Sequence, residues 1–130
     1  MGADSPDWFP GVWPIRSTMG ANQSRALGVA SVEIATGATG SDATVVAAGK
    51  RLVISNIYVS CPVTTINEFW LNIGGGIYYR QHFSMYGEMQ FPSEGAPTAD
   101  GATTVTIYVK NNDALTQTFY VGLAGVYEDK

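Results

Sequence analysis

Apolar and polar residues alternate with a period of two through most of this chain, and a helical period is sustained nowhere. KRLVISNIYVS at 50–60 is the strongest case. Strict alternation puts Leu52, Ile54, Asn56 and Tyr58 on one face and Val53, Ser55, Ile57 and Val59 on the other. Both faces are largely apolar, which predicts a central strand. INEFWLNI repeats the pattern, with Phe69, Leu71 and Ile73 opposite Glu68, Trp70 and Asn72. Glycines 74–76 then predict a hairpin, because glycine takes positive φ without steric cost. IYYRQHF returns antiparallel. TTVTIYVK turns Val105, Ile107 and Val109 inward and Thr104, Thr106, Tyr108 and Lys110 outward. TFYVGLAGVYE closes the pattern, with Phe119, Val121, Leu123 and Gly125 opposing Tyr120, Gly122, Ala124 and Val126.

Other segments are weaker. ALGVASVEIAT alternates through Val29, Val32 and Ile34, with a slip near Ala30. TGATGSD reads as a turn cluster, ATVVAAG as a short strand stopped by Gly49, and EMQF as another short strand. Pro92, Gly95, Pro97 and Gly101 keep PSEGAPTADG out of any sheet interior, and NNDALTQ is a turn. Seven or eight short, regularly spaced strands make the class all-β. The expected architecture is an antiparallel β-sandwich, jelly-roll-like, over residues 27–130.

Residues 1–26 behave differently and are expected to form an extended arm and linker. Pro6, Pro10 and Pro14 each fix φ and push the preceding residue to extended geometry. Yet the same stretch carries Trp8, Phe9, Trp13 and Ile15. Segments that bury nothing are poor in aromatics, and these four side chains would cost solubility if left open. The arm is therefore expected to dock, on a neighbouring subunit in preference to its own domain, with Trp8, Phe9, Trp13, Pro14 and Ile15 as the contact residues. A pre-extended segment loses less entropy on docking than a flexible one.

Composition narrows the partners. The chain has 130 residues, enough for one domain with an ordinary core. Charged residues are 14% of it, where about 25% is usual. Such a surface suits a β protein that packs against neighbours. The net charge is −4 and the basic residues are scattered, which argues against nucleic acid and against an anionic membrane. No stretch has the roughly 18 apolar residues of a membrane span. No signal peptide is visible, so synthesis inside the cell is expected.

Candidate chemistry is sparse. One histidine, His82, and one cysteine, Cys61, cannot form a His/Cys metal site. Cys61 ends an apolar run and reads as a small buried hydrophobe. Glu33, Asp42, Glu68, Glu88, Glu94 and Asp100 could in principle pair across a cleft, but a sandwich of this size leaves little room for one. No enzymatic activity, cofactor or metal is expected. RQHFSMYGEMQF concentrates Phe83, Met85, Tyr86, Met89 and Phe91, residue types shared by cores and by interface centres. They are candidates for a subunit interface, some of them for the core. Trp70, Tyr78, Tyr79 and Tyr108 would be the stacking residues if the domain were instead a carbohydrate- or receptor-binding module.

Taken together, AAGKRLVISNIYVS, LNIGGGIYYRQ, PSEGAPTADGATTVTIYV and the terminal VGLAGVYED resemble small virion structural proteins of tailed bacteriophages. The resemblance covers about residues 45–128 and lies in turns and strands. It implies a β-sandwich that decorates a capsid or forms part of a head or tail fibre, as a homotrimer or similar ring. The partners implied are further copies of the chain and a major capsid or other virion protein. The arm would be the attachment element, and the site of action the virion.

Overall fold

The computed structural model describes residues 23–92 and 94–130. Nine strands account for most of them: β1 (Gln23–Ile34), β2 (Thr39–Val45), β3 (Lys50–Ser60), β4 (Asn67–Ile73), β5 (Gly76–Phe83), β6 (Tyr86–Gln90), β7 (Thr98–Asp100), β8 (Thr104–Lys110) and β9 (Gln117–Asp129). Among the described residues there is no helix. The strands form two sheets. The larger runs β1-β9-β3-β6, with β7 also on β3, and the smaller runs β2-β8-β4-β5.

The pairing is nested. β4 pairs with β5, β3 with β6 and β7, β2 with β8, and β1 with β9, all antiparallel. The chain is thus one long ribbon, doubled back at the β4–β5 hairpin and rolled into two layers. That winding is a jelly roll, with two Greek keys. At the tip of the ribbon Gly74 and Gly75 have φ of 60° and 95°, so the glycine run makes the hairpin expected of it.

Apolar side chains from both sheets meet between the layers. Leu52, Ile54, Ile57, Val59, Phe69, Leu71, Val109, Phe119 and Val121 are fully buried. Phe83 sits edge-on to Phe69, 5.4 Å between centroids, and packs against Phe119 as well. β4, β8 and β9 present the inward sets that alternation predicts.

β3 does not keep strict alternation. Its register against β9 shifts between Ile54 and Asn56, leaving Ser55 as an extra residue. This β-bulge flips every later side chain. Ile54 and Ile57 both enter the core, and Tyr58 turns outward with Ser60. The Ser55 hydroxyl donates to the Ala124 carbonyl at 2.9 Å, which anchors the bulge to β9.

Three boundaries also differ from the sequence reading. β1 begins at Gln23 and pairs with β9 from there to Ile34, so its first residues fall in what reads as linker. The first turn is confined to residues 35–38, and Gly40, Ser41 and Asp42 already belong to β2. β7 forms inside the Pro/Gly loop, where Arg51, Leu52 and Val53 on β3 offer a free edge beyond the end of β6.

A polar knot closes one end of the sandwich. Asn111 is fully buried, and its amide donates to the Ile34 and Leu115 carbonyls at 2.8 and 3.0 Å. Its carbonyl oxygen accepts from the Asp113 N–H at 2.8 Å. Asn67, equally buried, accepts from the Asn112 N–H at 2.7 Å. Asp113 in turn accepts from the Thr65 hydroxyl and from the Gln117 amide. Two asparagines thus join the β1–β2, β3–β4 and β8–β9 connections without leaving a buried polar group unpaired.

Candidate functional site

Three surfaces carry side chains that the core does not use. The first is the outer face of the smaller sheet. Register puts Tyr108, Trp70 and Arg80 in one row across β8, β4 and β5. Tyr108 stacks on Trp70, with centroids 5.6 Å apart and rings inclined by 16°. The Arg80 guanidinium carbon lies 4.3 Å from the centre of the Trp70 ring. Since β8 and β5 flank β4 on opposite sides, the indole stands between a phenol and a cation. In the next row Glu68 faces Arg80 at 3.6 Å and His82 at 3.8 Å. The arrangement is a cross-strand ladder that satisfies itself.

The second surface is the outer face of the larger sheet. Beyond the bulge, Tyr58 projects outward opposite Gly122. Its phenol end lies across the glycine, where a Cβ would overlap the ring. Tyr86 and Tyr120, both exposed, flank it through their shared partner Ser60. The Asn56 amide donates to Glu88 at 2.8 Å beside them. Local desolvation of the phenol against its neighbours, then the nearby Glu88 carboxylate, raises Tyr86 above its ordinary pKa even though the side chain is largely exposed. Tyr58 was not legible as a surface residue, because strict alternation places it with Leu52 and Ile54.

The third surface is the open side of the sandwich between β5 and β6. Among the described residues β5 pairs in a ladder with β4 alone and β6 with β3 alone, and the Gln81 amide donates across the gap to the Glu88 carbonyl. Along β5, Ile77, Tyr78 and Tyr79 are 59%, 53% and 44% exposed. The register against β4 shifts between Leu71 and Asn72, leaving Tyr78 as the extra residue of a second bulge. Tyr79 reaches across to Phe91, 5.0 Å between ring centres.

The sequence candidates therefore separate. Phe83 and Met89 are core residues, whereas Met85 and Tyr86 are exposed and Phe91 is half-buried at the open side. Trp70 and Tyr108 come together, but Tyr78 and Tyr79 lie apart from them on the edge strand. Cys61 is buried, as its sequence setting suggests. Trp8, Phe9, Trp13, Pro14 and Ile15 lie outside the described residues. Among the described residues no three His, Cys, Asp or Glu side chains are grouped as metal ligands would be.

No protein-family model and no curated protein matches the chain. Solved structures do. Dimeric latent PorU from Porphyromonas gingivalis matches 85% of this chain at 8% identity with a TM-score of 0.50. The chain spans only 13% of that PorU chain. A de novo designed double-stranded β-helix matches 72% of this chain and 95% of its own, at 14% identity and a TM-score of 0.40. At these identities the likeness to PorU concerns the fold alone.

Proposed function

We propose that this chain is a non-enzymatic structural protein of a phage virion, one that joins copies of itself and a capsid or fibre surface. The jelly-roll domain is the body and the amino-terminal arm the connector. The observation that carries the reading is the open side of the sandwich. Edge strands are normally blunted by lysine, proline, bulges or a covering segment. β5 has Arg80 and the Tyr78 bulge, but it leaves a run of large apolar side chains uncovered. An assembling protein has a use for such an edge. The low charge content and the resemblance of residues 45–128 to virion proteins support the same reading.

A carbohydrate-binding module is the weaker alternative. A sugar-stacking ring has to present an open face, and Trp70 has Tyr108 and Arg80 against it.

Sedimentation velocity on Trp8→Ala combined with Trp13→Ala tests the proposal. The variant is expected to lose the assembled species while keeping the far-ultraviolet β signature of the folded domain. Unchanged assembly by that variant would rule out the arm as connector.

A further inference from the structure

We propose that residues 7–15 of one copy add as a strand to the outer edge of β5 on a neighbouring copy, filling the groove between β5 and β6. The inference rests on the assembly reading above and names its contact. The groove measures about 430 Å³ and is lined by Tyr79, Gln81, Glu88, Met89, Phe91 and Pro92 among others. Among the described residues neither strand beside it pairs on its outer edge. Its floor is aromatic where Tyr79 meets Phe91.

Proline spacing in the arm fits an added strand. In an antiparallel strand, successive residues direct their N–H and C=O groups to opposite edges. Pro6, Pro10 and Pro14 all have even numbers, so their missing N–H groups fall on one edge. Asp7, Phe9, Gly11, Trp13 and Ile15 have odd numbers, and every one keeps its N–H for the other edge. A strand with prolines on one edge can pair only through the other, which suits a terminal position in a sheet. The same parity puts Phe9, Trp13 and Ile15 on one face, matched to the aromatic floor.

The place where the arm leaves the domain selects the neighbour. β1 is the edge of the larger sheet opposite β6, three strand spacings or about 14 Å away. Residues 7–15 end eight positions before β1 begins at Gln23. To reach its own β5 the arm would have to pass round the sandwich. A neighbour set head to tail presents β5 beside β1. Donor and acceptor on opposite edges make a heterologous contact, which closes into a ring when the rotation allows.

The test uses the full chain with a photoreactive benzoylphenylalanine in place of Tyr79, prepared as a mixture of 14N- and 15N-labelled copies. After irradiation, mass spectrometry is expected to find adducts on residues 7–15 that join the two isotopic populations. Adducts confined to one isotopic population, adducts elsewhere, or none would overturn the inference. Two proline variants test the strand geometry itself. Gly11→Pro removes an N–H from the pairing edge and should cut the adduct yield about tenfold, the equivalent of one ladder hydrogen bond. Val12→Pro alters only the other edge and should leave the yield within about twofold. Equal effects of the two would overturn strand addition. The mass of the unirradiated sample separates the two levels. An oligomer lacking the adduct overturns the contact alone, and a monomer overturns the assembly reading with it.

Discussion

Tyr58 and Gly122 are cross-strand partners on the outer face of the larger sheet, and the phenol of one occupies the space a side chain on the other would need. Glycine normally weakens a strand, so alanine in its place should help. Here the gain is offset, because Gly122→Ala must move the free end of the Tyr58 side chain, and the net change is expected to stay within about 1 kcal/mol. Gly125→Ala has no such relief, since its Cβ would overlap the Val53 carbonyl oxygen, and it is expected to destabilise the fold by about 1–3 kcal/mol. Gly76→Ala is the control, since a Cβ there meets only ordinary contacts, and it should be near neutral. Urea unfolding of the three variants checks the contrast.

The asparagine knot predicts a loss of another kind. Asn111→Ala leaves the buried Ile34 carbonyl without this partner and turns the part-buried Leu115 carbonyl and Asp113 N–H toward water. One buried unsatisfied group costs about 1–3 kcal/mol, and the variant should lose about that much. Hydrogen exchange should accelerate across the β8–β9 connection and the β1–β2 turn together. Acceleration in one of them alone would contradict the shared anchor.

Asp113 and Asp100 are expected to contribute to the acid limb of stability. Hydrogen bonds from Thr65 and then Gln117 hold the Asp113 carboxyl below the usual range. Hydrogen bonds from Lys130 and then Arg51 do the same for Asp100, each at 3.0 Å. A carboxyl with a lowered folded-state pKa stabilises the fold fully above its unfolded value. That contribution is lost as pH falls through the folded value. Stability should therefore hold from neutral pH down to about 4 and fall below it. The urea midpoint of Asp113→Asn combined with Asp100→Asn should be lower near neutrality and drop less between pH 5 and pH 3. An undiminished drop would place the acid sensitivity elsewhere.

The row on the smaller sheet predicts coupling rather than ligand binding. Trp70 and Tyr108 should show an interaction of about 0.5–1.5 kcal/mol in a double-mutant cycle, in the stabilising direction. Arg80→Gln should cost about 0.5–1 kcal/mol, the range of an exposed cation–π pair. A zero coupling would leave the indole free for another role.

The hydrophobic pattern made most of the fold legible. Phe69, Leu71 and Ile73, and likewise Val105, Ile107 and Val109, occupy the inner positions that alternation assigns them. It failed at Ser55, where one extra residue reverses the face of everything after it, and pattern alone does not mark a bulge. Tyr58 was misplaced for that reason. The short β7 was illegible because three residues carry no periodicity, and its pairing depends on the free half of β3. The outer surfaces were legible in kind but not in grouping. Tyr78 and Trp70 both read as surface aromatics, yet only the register separates an open edge from a closed ladder.

On the proposal above, the arm joins copies of the chain. Light scattering on the full chain and on a version starting at Gln23 tests it most directly, because β1 stays whole in both. A discrete oligomer, a trimer or a similar ring, is expected for the full chain and should fall to the monomer mass when residues 1–22 are removed. One unchanged mass for both, monomeric or oligomeric, would contradict it.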